Sequence, residues 1–123
     1  MDKKVLIVDD EPNILLSLAF LVQKAGFRTK TAEDGQAALD TVAQWQPDLV
    51  LLDVNMPVMD GFEVCQRLRE DNSLGDLKII ILTAKGRNIE KEKGLALGAD
   101  DYVTKPFSNA DVVERIKHQL GAA

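Results

Sequence analysis

Cysteine occurs once in the 123 residues, at Cys65, so neither an internal disulfide nor a cluster of thiolate metal ligands can be built from this chain. Phe62, Val64 and Leu68 lie on one helical stripe with it, which gives the thiol a packing role rather than redox chemistry. Basic charge is also in short supply. Fifteen lysines and arginines face 20 acidic residues, and a net charge of −5 lacks the basic footprint that nonspecific nucleic-acid binding needs. Long apolar runs are missing, and those present are far too short to cross a bilayer. The opening residues Met1 to Val5 carry no long apolar stretch and no small-residue cleavage site, so the expected location is cytoplasmic. Internal repeats and low-complexity segments are absent too. The remaining composition, 46% hydrophobic and 28% charged, is that of an ordinary globular protein. Its length fits one domain over residues 1–123, able to bury a core without disulfides or a structural metal.

Strand and helix patterns alternate five times along the chain, the signature of a parallel sheet covered by helices. Strands are predicted near residues 4–9, 28–32, 48–53, 78–83 and 101–104, and helices near 12–25, 35–45, 61–71, 88–97 and 109–120. The first, third and fourth strands are continuously apolar, as strands buried on both faces are. Arg28-Thr29-Lys30-Thr31 is polar and the fifth strand is short. Strands two and five therefore belong at the edges, and right-handed crossovers are then compatible with the order 2-1-3-4-5, already known from flavodoxin-like folds. The predicted class is α/β: a flavodoxin-like, doubly wound, five-stranded parallel sheet with five helices.

Asp60 with Glu63, and Ser108 with Asp111, have the spacing of helix-start capping pairs. Pro12 suits a first helical turn, and Gly26 and Gly98 suit helix ends. In the last helix Val112, Val113, Ile116 and Leu120 form a core stripe. Helix four has no such stripe. Its Ile89, Leu95 and Leu97 are scattered around the wheel and Gly94 interrupts it, so it is predicted to dock least firmly.

Three predicted strands end in residues suited to phosphoryl chemistry. The first runs into Asp9-Asp10, the third into Asp53 and the fourth into Thr83, while the fifth delivers Lys105-Pro106 to the same rim. Ligand chemistry in open parallel sheets gathers beyond the carboxyl ends of the strands, so these side chains should converge. Adjacent strands are about 4.8 Å apart, which brings the carboxylates within roughly 5–7 Å. At an effective dielectric near 20 each such pair costs about 2–3 kcal/mol. A hard divalent cation with oxygen ligands relieves that repulsion, and Mg²⁺ suits a site that keeps waters for a phosphate to replace. Capping of the first helix alone accounts for Asp9 and Asp10 but leaves Asp53, Thr83 and Lys105 unexplained. A carboxylate beside such a cation is a competent nucleophile toward phosphorus, giving an acyl phosphate. Lys105 would neutralise charge on the phosphoryl oxygens and the Thr83 hydroxyl would donate to one of them.

These residues stand in longer motifs: Val8-Asp9-Asp10-Glu11, Asp53-Val54-Asn55-Met56-Pro57 with Met59-Asp60-Gly61, Leu82-Thr83-Ala84, and Gly98-Ala99-Asp100-Asp101-Tyr102 leading to Lys105-Pro106-Phe107. From residue 3 to about residue 120 the chain resembles the receiver domain of bacterial two-component response regulators. The resemblance implies that Asp53 accepts a phosphoryl group from a phosphohistidine on a sensor histidine kinase or a histidine phosphotransferase. It implies Mg²⁺ held directly by Asp10, through water by Asp9, and further by Asp53 and the backbone carbonyl of Asn55. Lys105 would pair with the phosphate, and Thr83 with Tyr102 would form the switch that reports it. The surface of helix four, strand five and helix five would then carry the signal to a downstream effector protein or an output domain. Asn55 and Lys85 would flank the path of the hydrolytic water and influence phosphate lifetime. A cis bond between Lys105 and Pro106 is implied as well. The chain would be a phosphoacceptor that assists its own phosphorylation and dephosphorylation, not an enzyme turning over an external substrate.

Two other classes use similar parts. Haloacid-dehalogenase phosphatases form an aspartyl phosphate with Mg²⁺, but place an acidic residue two positions after the nucleophile, where this chain has Asn55, which cannot protonate a leaving group. An interaction domain independent of phosphorylation would have no use for Asp10, Asp53, Thr83 and Lys105 together. His118 falls on the polar face of the last helix and reads as solvated; Trp45 shares a stripe with Ala38, Leu39 and Val42 and reads as core. On the first helix Leu16 and Phe20 project from the side opposite the apolar face, a candidate contact for the kinase.

Overall fold

The computed structural model describes residues 2–84 and 86–121, so the expectation attached to Lys85 lies outside the described residues. Five strands, β1 (Lys4–Val8), β2 (Arg28–Ala32), β3 (Leu49–Asp53), β4 (Lys78–Ala84) and β5 (Asp101–Lys105), alternate with five helices: α1 (Pro12–Lys24), α2 (Gly35–Trp45), α3 (Gly61–Glu70), α4 (Asn88–Ala96) and α5 (Asn109–Leu120). All strand pairs are parallel and the order is β2-β1-β3-β4-β5, as the hydrophobic patterns predict.

Strand alternation divides the core into two layers. Leu6, Val8, Val50, Leu52, Ile79 and Ile81 face α2 and α3, meeting Val42, Val64 and Leu68. Val5, Ile7, Leu49, Leu51, Ile80 and Leu82 face α1 and α5, meeting Leu18, Val22, Val112 and Ile116. Each fully buried aliphatic side chain contributes about 1.5–3 kcal/mol, so the three central strands hold most of the stability. β2 buries only Ala32, and its exposed Arg28 and Lys30 discourage pairing with another chain at that edge. Cys65 is fully buried in the first layer, and the partly buried Trp45 packs against that layer.

The predicted caps form. Asp60 accepts from the Glu63 amide at 2.9 Å and Ser108 from the Asp111 amide at 3.0 Å. Gly26 and Gly98 follow α1 and α4 at φ 102° and 108°, a left-handed conformation that glycine adopts without a Cβ clash. Three features depart from the sequence reading. A 3₁₀ turn over Asn72–Leu74 precedes β4, held by Asp71 accepting from the Ser73 amide. Val113 is only half-buried, because Val112 and Ile116 alone point straight at the sheet. Arg69, near the end of α3, donates to the carbonyls of Gly98 and Leu77 and to the Asp100 carboxylate, which also accepts from the Ile79 amide. It thereby ties α3 to the entries of β4 and β5. Helix α4 buries just two residues, Glu90 and Gly94, in line with its predicted weak docking.

Candidate functional site

Strand register sets the site. Val8 lies beside Leu52 and Asp53 beside Leu82, so Asp9, Asp53 and Thr83 emerge together at the carboxyl edge of the three central strands. Asp9 and Thr83 are fully buried and Asp53 nearly so, whereas Asp10 is exposed. Gly61 makes the close approach possible: a Cβ there would collide with the Asp53 carbonyl oxygen and come within 2.7 Å of Val54 Cα. The loop leaving Asp53 therefore turns back tightly, with the Gly61 amide donating to the Val54 carbonyl at 3.2 Å and the Asn55 amide to Asp53 Oδ1 at 3.2 Å. Within that loop the Met59 amide donates to the Pro57 carbonyl at 2.8 Å, a three-residue turn that holds Val58 at φ 68° with its side chain fully in solvent. β-branched residues rarely adopt that conformation.

Lys105 ends β5 and reaches back across β4. Its Nζ lies 2.8 Å from Asp9 Oδ2 and 3.5 Å from Asp53 Oδ1, and its bond to Pro106 is cis. Burial pulls the ammonium pKa down, but the Asp9 hydrogen bond and the charges of Asp53, Asp9 and Glu11 hold it above the ordinary lysine range. Asp53 moves the other way for an acid. Burial first and the charge of Asp9 second push its pKa up to about 6, against the opposing pull of Lys105 and the Asn55 amide. One ammonium therefore does not neutralise the pocket. Oxygens of Asp9, Asp10 and Asp53 lie within 4.8 Å of one another, a set of hard donors carrying excess negative charge, and these residues fit a hard divalent cation such as Mg²⁺.

Among the described residues the buried Thr83 Oγ1 has no hydrogen-bond partner, so the hydroxyl is available to an acceptor added to the pocket. Tyr102 stands half-buried on β5, packed beside the core, its ring between Lys91 Nζ at 4.8 Å and the Arg115 guanidinium at 5.2 Å. Asn55 is exposed on the loop. His118 is exposed on α5 and is not among the residues of this cluster. Sequence reasoning gave Lys105 to a phosphate but missed its contact with Asp9. No local signal exists for a pair 96 positions apart. The role of Gly61 was also missed, although a glycine opening a helix just after an Asp60 cap hints at a close backbone approach.

Residues 5–117 match the model of the response regulator receiver domain. Over 117 residues the chain is 45% identical to the alkaline phosphatase synthesis transcriptional regulatory protein PhoP of Bacillus subtilis (strain 168); the match covers 95% of this chain and 48% of that protein. The chain thus spans about half the length of that relative. Among solved structures, a protein described as a response regulator from Chloroflexus aurantiacus J-10-fl superposes with a TM-score of 0.95 at 34% identity, covering 98% of this chain and 99% of the other. The chemotaxis protein CheY4 of Vibrio cholerae does so with a TM-score of 0.89 at 33% identity, covering 96% and 98%.

Proposed function

The chain belongs to the response regulator receiver domain family, and from that premise we propose that it signals by accepting a phosphoryl group on Asp53 from the phosphohistidine of a sensor kinase or phosphotransferase. The carrying observation is the Asp53 carboxylate itself, buried at the end of β3 beside Asp9 and 3.5 Å from the Lys105 ammonium. With a pKa of about 6 it is mostly deprotonated at neutral pH and poorly solvated, the state of a usable nucleophile. One of its oxygens attacks phosphorus, the phosphorus–nitrogen bond breaks, and the imidazole leaves with the electron pair. Lys105, already within reach, neutralises the added phosphoryl charge, and the unpaired Thr83 hydroxyl donates to a phosphoryl oxygen. Asp9, Asp10, Asp53 and the Asn55 carbonyl are the groups that would hold Mg²⁺. When bound, the ion supplies positive charge to both the carboxylates and the incoming phosphoryl oxygens.

Movement of the Thr83 hydroxyl toward the phosphate vacates space that Tyr102 can take, altering the surface of α4, β5 and α5. An effector protein, or an output domain carried on a longer chain, reads that surface. The Bacillus subtilis relative is by name a transcriptional regulator. Direct nucleic-acid contact is not assigned to this receiver, whose net charge is −5. No helix among the described residues is long and apolar enough to cross a membrane, and the proposed exchange belongs in the cytoplasm. Incubation with acetyl phosphate and Mg²⁺ should place an acid-stable, hydroxylamine-labile adduct on Asp53 alone, located by mass spectrometry of peptides. Labelling that persists in Asp53→Asn would overturn the assignment.

A further inference from the structure

Among the described residues two buried side-chain polar atoms lack a hydrogen-bond partner, Thr83 Oγ1 and Glu90 Oε1, and they bracket the connection from β4 to α4. The proposed phosphoryl chemistry uses the first and leaves the second unexplained. Glu90 is only 7% exposed. Its other oxygen lies 3.4 Å from Arg87, whose side chain is 64% exposed and thus pairs mostly with water. The two buried residues of α4, Glu90 and Gly94, are one turn apart and define its inward face. At Gly94 a Cβ would run into Ile81 Cδ1, so the helix backbone rests directly on β4 there. At Glu90 the inward face of the helix carries a carboxylate rather than an apolar side chain. Along its body the helix is further held by Lys91 over the Tyr102 ring at 4.8 Å and Lys93 over the Phe62 ring at 4.5 Å, and at its tail by Leu97 against the core and the Arg69 hydrogen bond to the Gly98 carbonyl.

We propose that Glu90 is a positioning residue of the switch, one that keeps α4 only loosely seated so that phosphorylation of Asp53 can displace it. The inference rests on the receiver reading above. A buried carboxylate oxygen without a partner raises the free energy of the seated packing, and moving the helix outward lets that oxygen reach water. The seated and displaced packings are thereby brought close in energy. A phosphoryl group that favours the displaced packing binds in proportion to how often that packing is populated, so Glu90 strengthens phosphoryl binding at a site it does not touch. The competing reading makes Glu90 an ordinary stabiliser of the helix start, where an acid interacts favourably with the helix dipole. The two readings predict opposite signs when the carboxylate is removed.

The test uses beryllofluoride with Mg²⁺ as the phosphoryl mimic, added to the wild-type chain, Glu90→Met and Glu90→Gln. Glu90→Met should slow hydrogen exchange of α4 amides relative to β1 amides about tenfold and weaken beryllofluoride binding by a similar factor. Glu90→Gln, polar and uncharged, should fall between and carries the same signs should the methionine variant fold poorly. Faster α4 exchange in either variant, or slower exchange with unchanged beryllofluoride affinity, would overturn the proposal. A wild-type chain that binds no beryllofluoride would instead overturn the receiver reading beneath it.

Discussion

Replacing Asp53 by asparagine should make the metal-free protein more stable at neutral pH, although it removes the group on which the proposed function depends. The carboxyl pKa stands at about 6 against a reference of 3.8. In the native state it therefore binds its proton more tightly than in the unfolded chain, and unfolding is favoured wherever the unfolded group is ionised. Below about pH 4 both forms are protonated and the penalty vanishes. It grows as pH rises from about 4 to about 6 and stays constant above that. Roughly two units at about 1.4 kcal/mol each give a penalty of about 3 kcal/mol at pH 7.5. For a domain of this size that corresponds to roughly 10 °C in Tm. Asparagine also weakens the 3.5 Å contact with Lys105, an offset that makes the pH dependence, rather than any single value, the quantity to read. Urea unfolding of wild type and Asp53→Asn in EDTA, at about pH 4 and pH 7.5, measures it. The advantage of the variant should grow by about 3 kcal/mol between the two conditions, and saturating Mg²⁺ at pH 7.5 should shrink it by stabilising the wild type. A difference that stays flat with pH would refute the claim that burial and Asp9 disfavour the charged carboxylate, and with it the electrostatic case for a cation.

Asp10→Ala should abolish Mg²⁺ binding more completely than Asp9→Ala in a calorimetric titration, because the Asp9 carboxylate already serves Lys105 and the Glu11 amide while Asp10 faces solvent; equal losses would contradict that division of roles. Leu16 and Phe20 are 72% and 68% exposed, so changing both to alanine should alter stability by less than about 0.5 kcal/mol. The same double variant should slow phosphotransfer from a kinase that phosphorylates the wild type, with acetyl phosphate labelling unaffected; equal slowing of both routes would end the docking idea. Val58→Gly relieves a β-branched residue from a left-handed turn and should raise stability by about 1 kcal/mol in urea unfolding, a gain that would be missing were the loop unstrained.

Hydrophobic patterning made the fold legible. The middles of β1, β3 and β4 are continuously apolar because both faces are covered, and β2 is polar because it lies at an edge, which orders the sheet without long-range information. The strand ends then place Asp9, Asp53 and Thr83 side by side, since parallel register carries neighbouring strands to the same level. Pairings that depend on side-chain reach were not legible. Lys105 meets Asp9, and Arg69 meets Gly98, Leu77 and Asp100, across separations that no periodicity encodes. Glu90 was invisible for another reason: an acid in a helix of mixed polarity looks solvated until the helix is seated on a sheet. Val58 carries no turn signal of its own, and its conformation follows from the anchoring of Met59 against Gly35 on one side and the tight Gly61 approach on the other.

The Arg69 clamp makes α4 a flap with one fixed end. Gly98, just past its tail, is tied through Arg69 to α3 and to the entry of β4, whereas among the described residues no side chain caps its head at Arg87. A displacement starting at the head must be a swing about the tail, with travel that diminishes along the helix. Ile89, 79% exposed near the head, and Leu95, 45% exposed near the tail, then differ in what they transmit. On the proposed switch, a partner gripping Ile89 would feel the full stroke, while one resting on Leu95 would find nearly the same surface before and after.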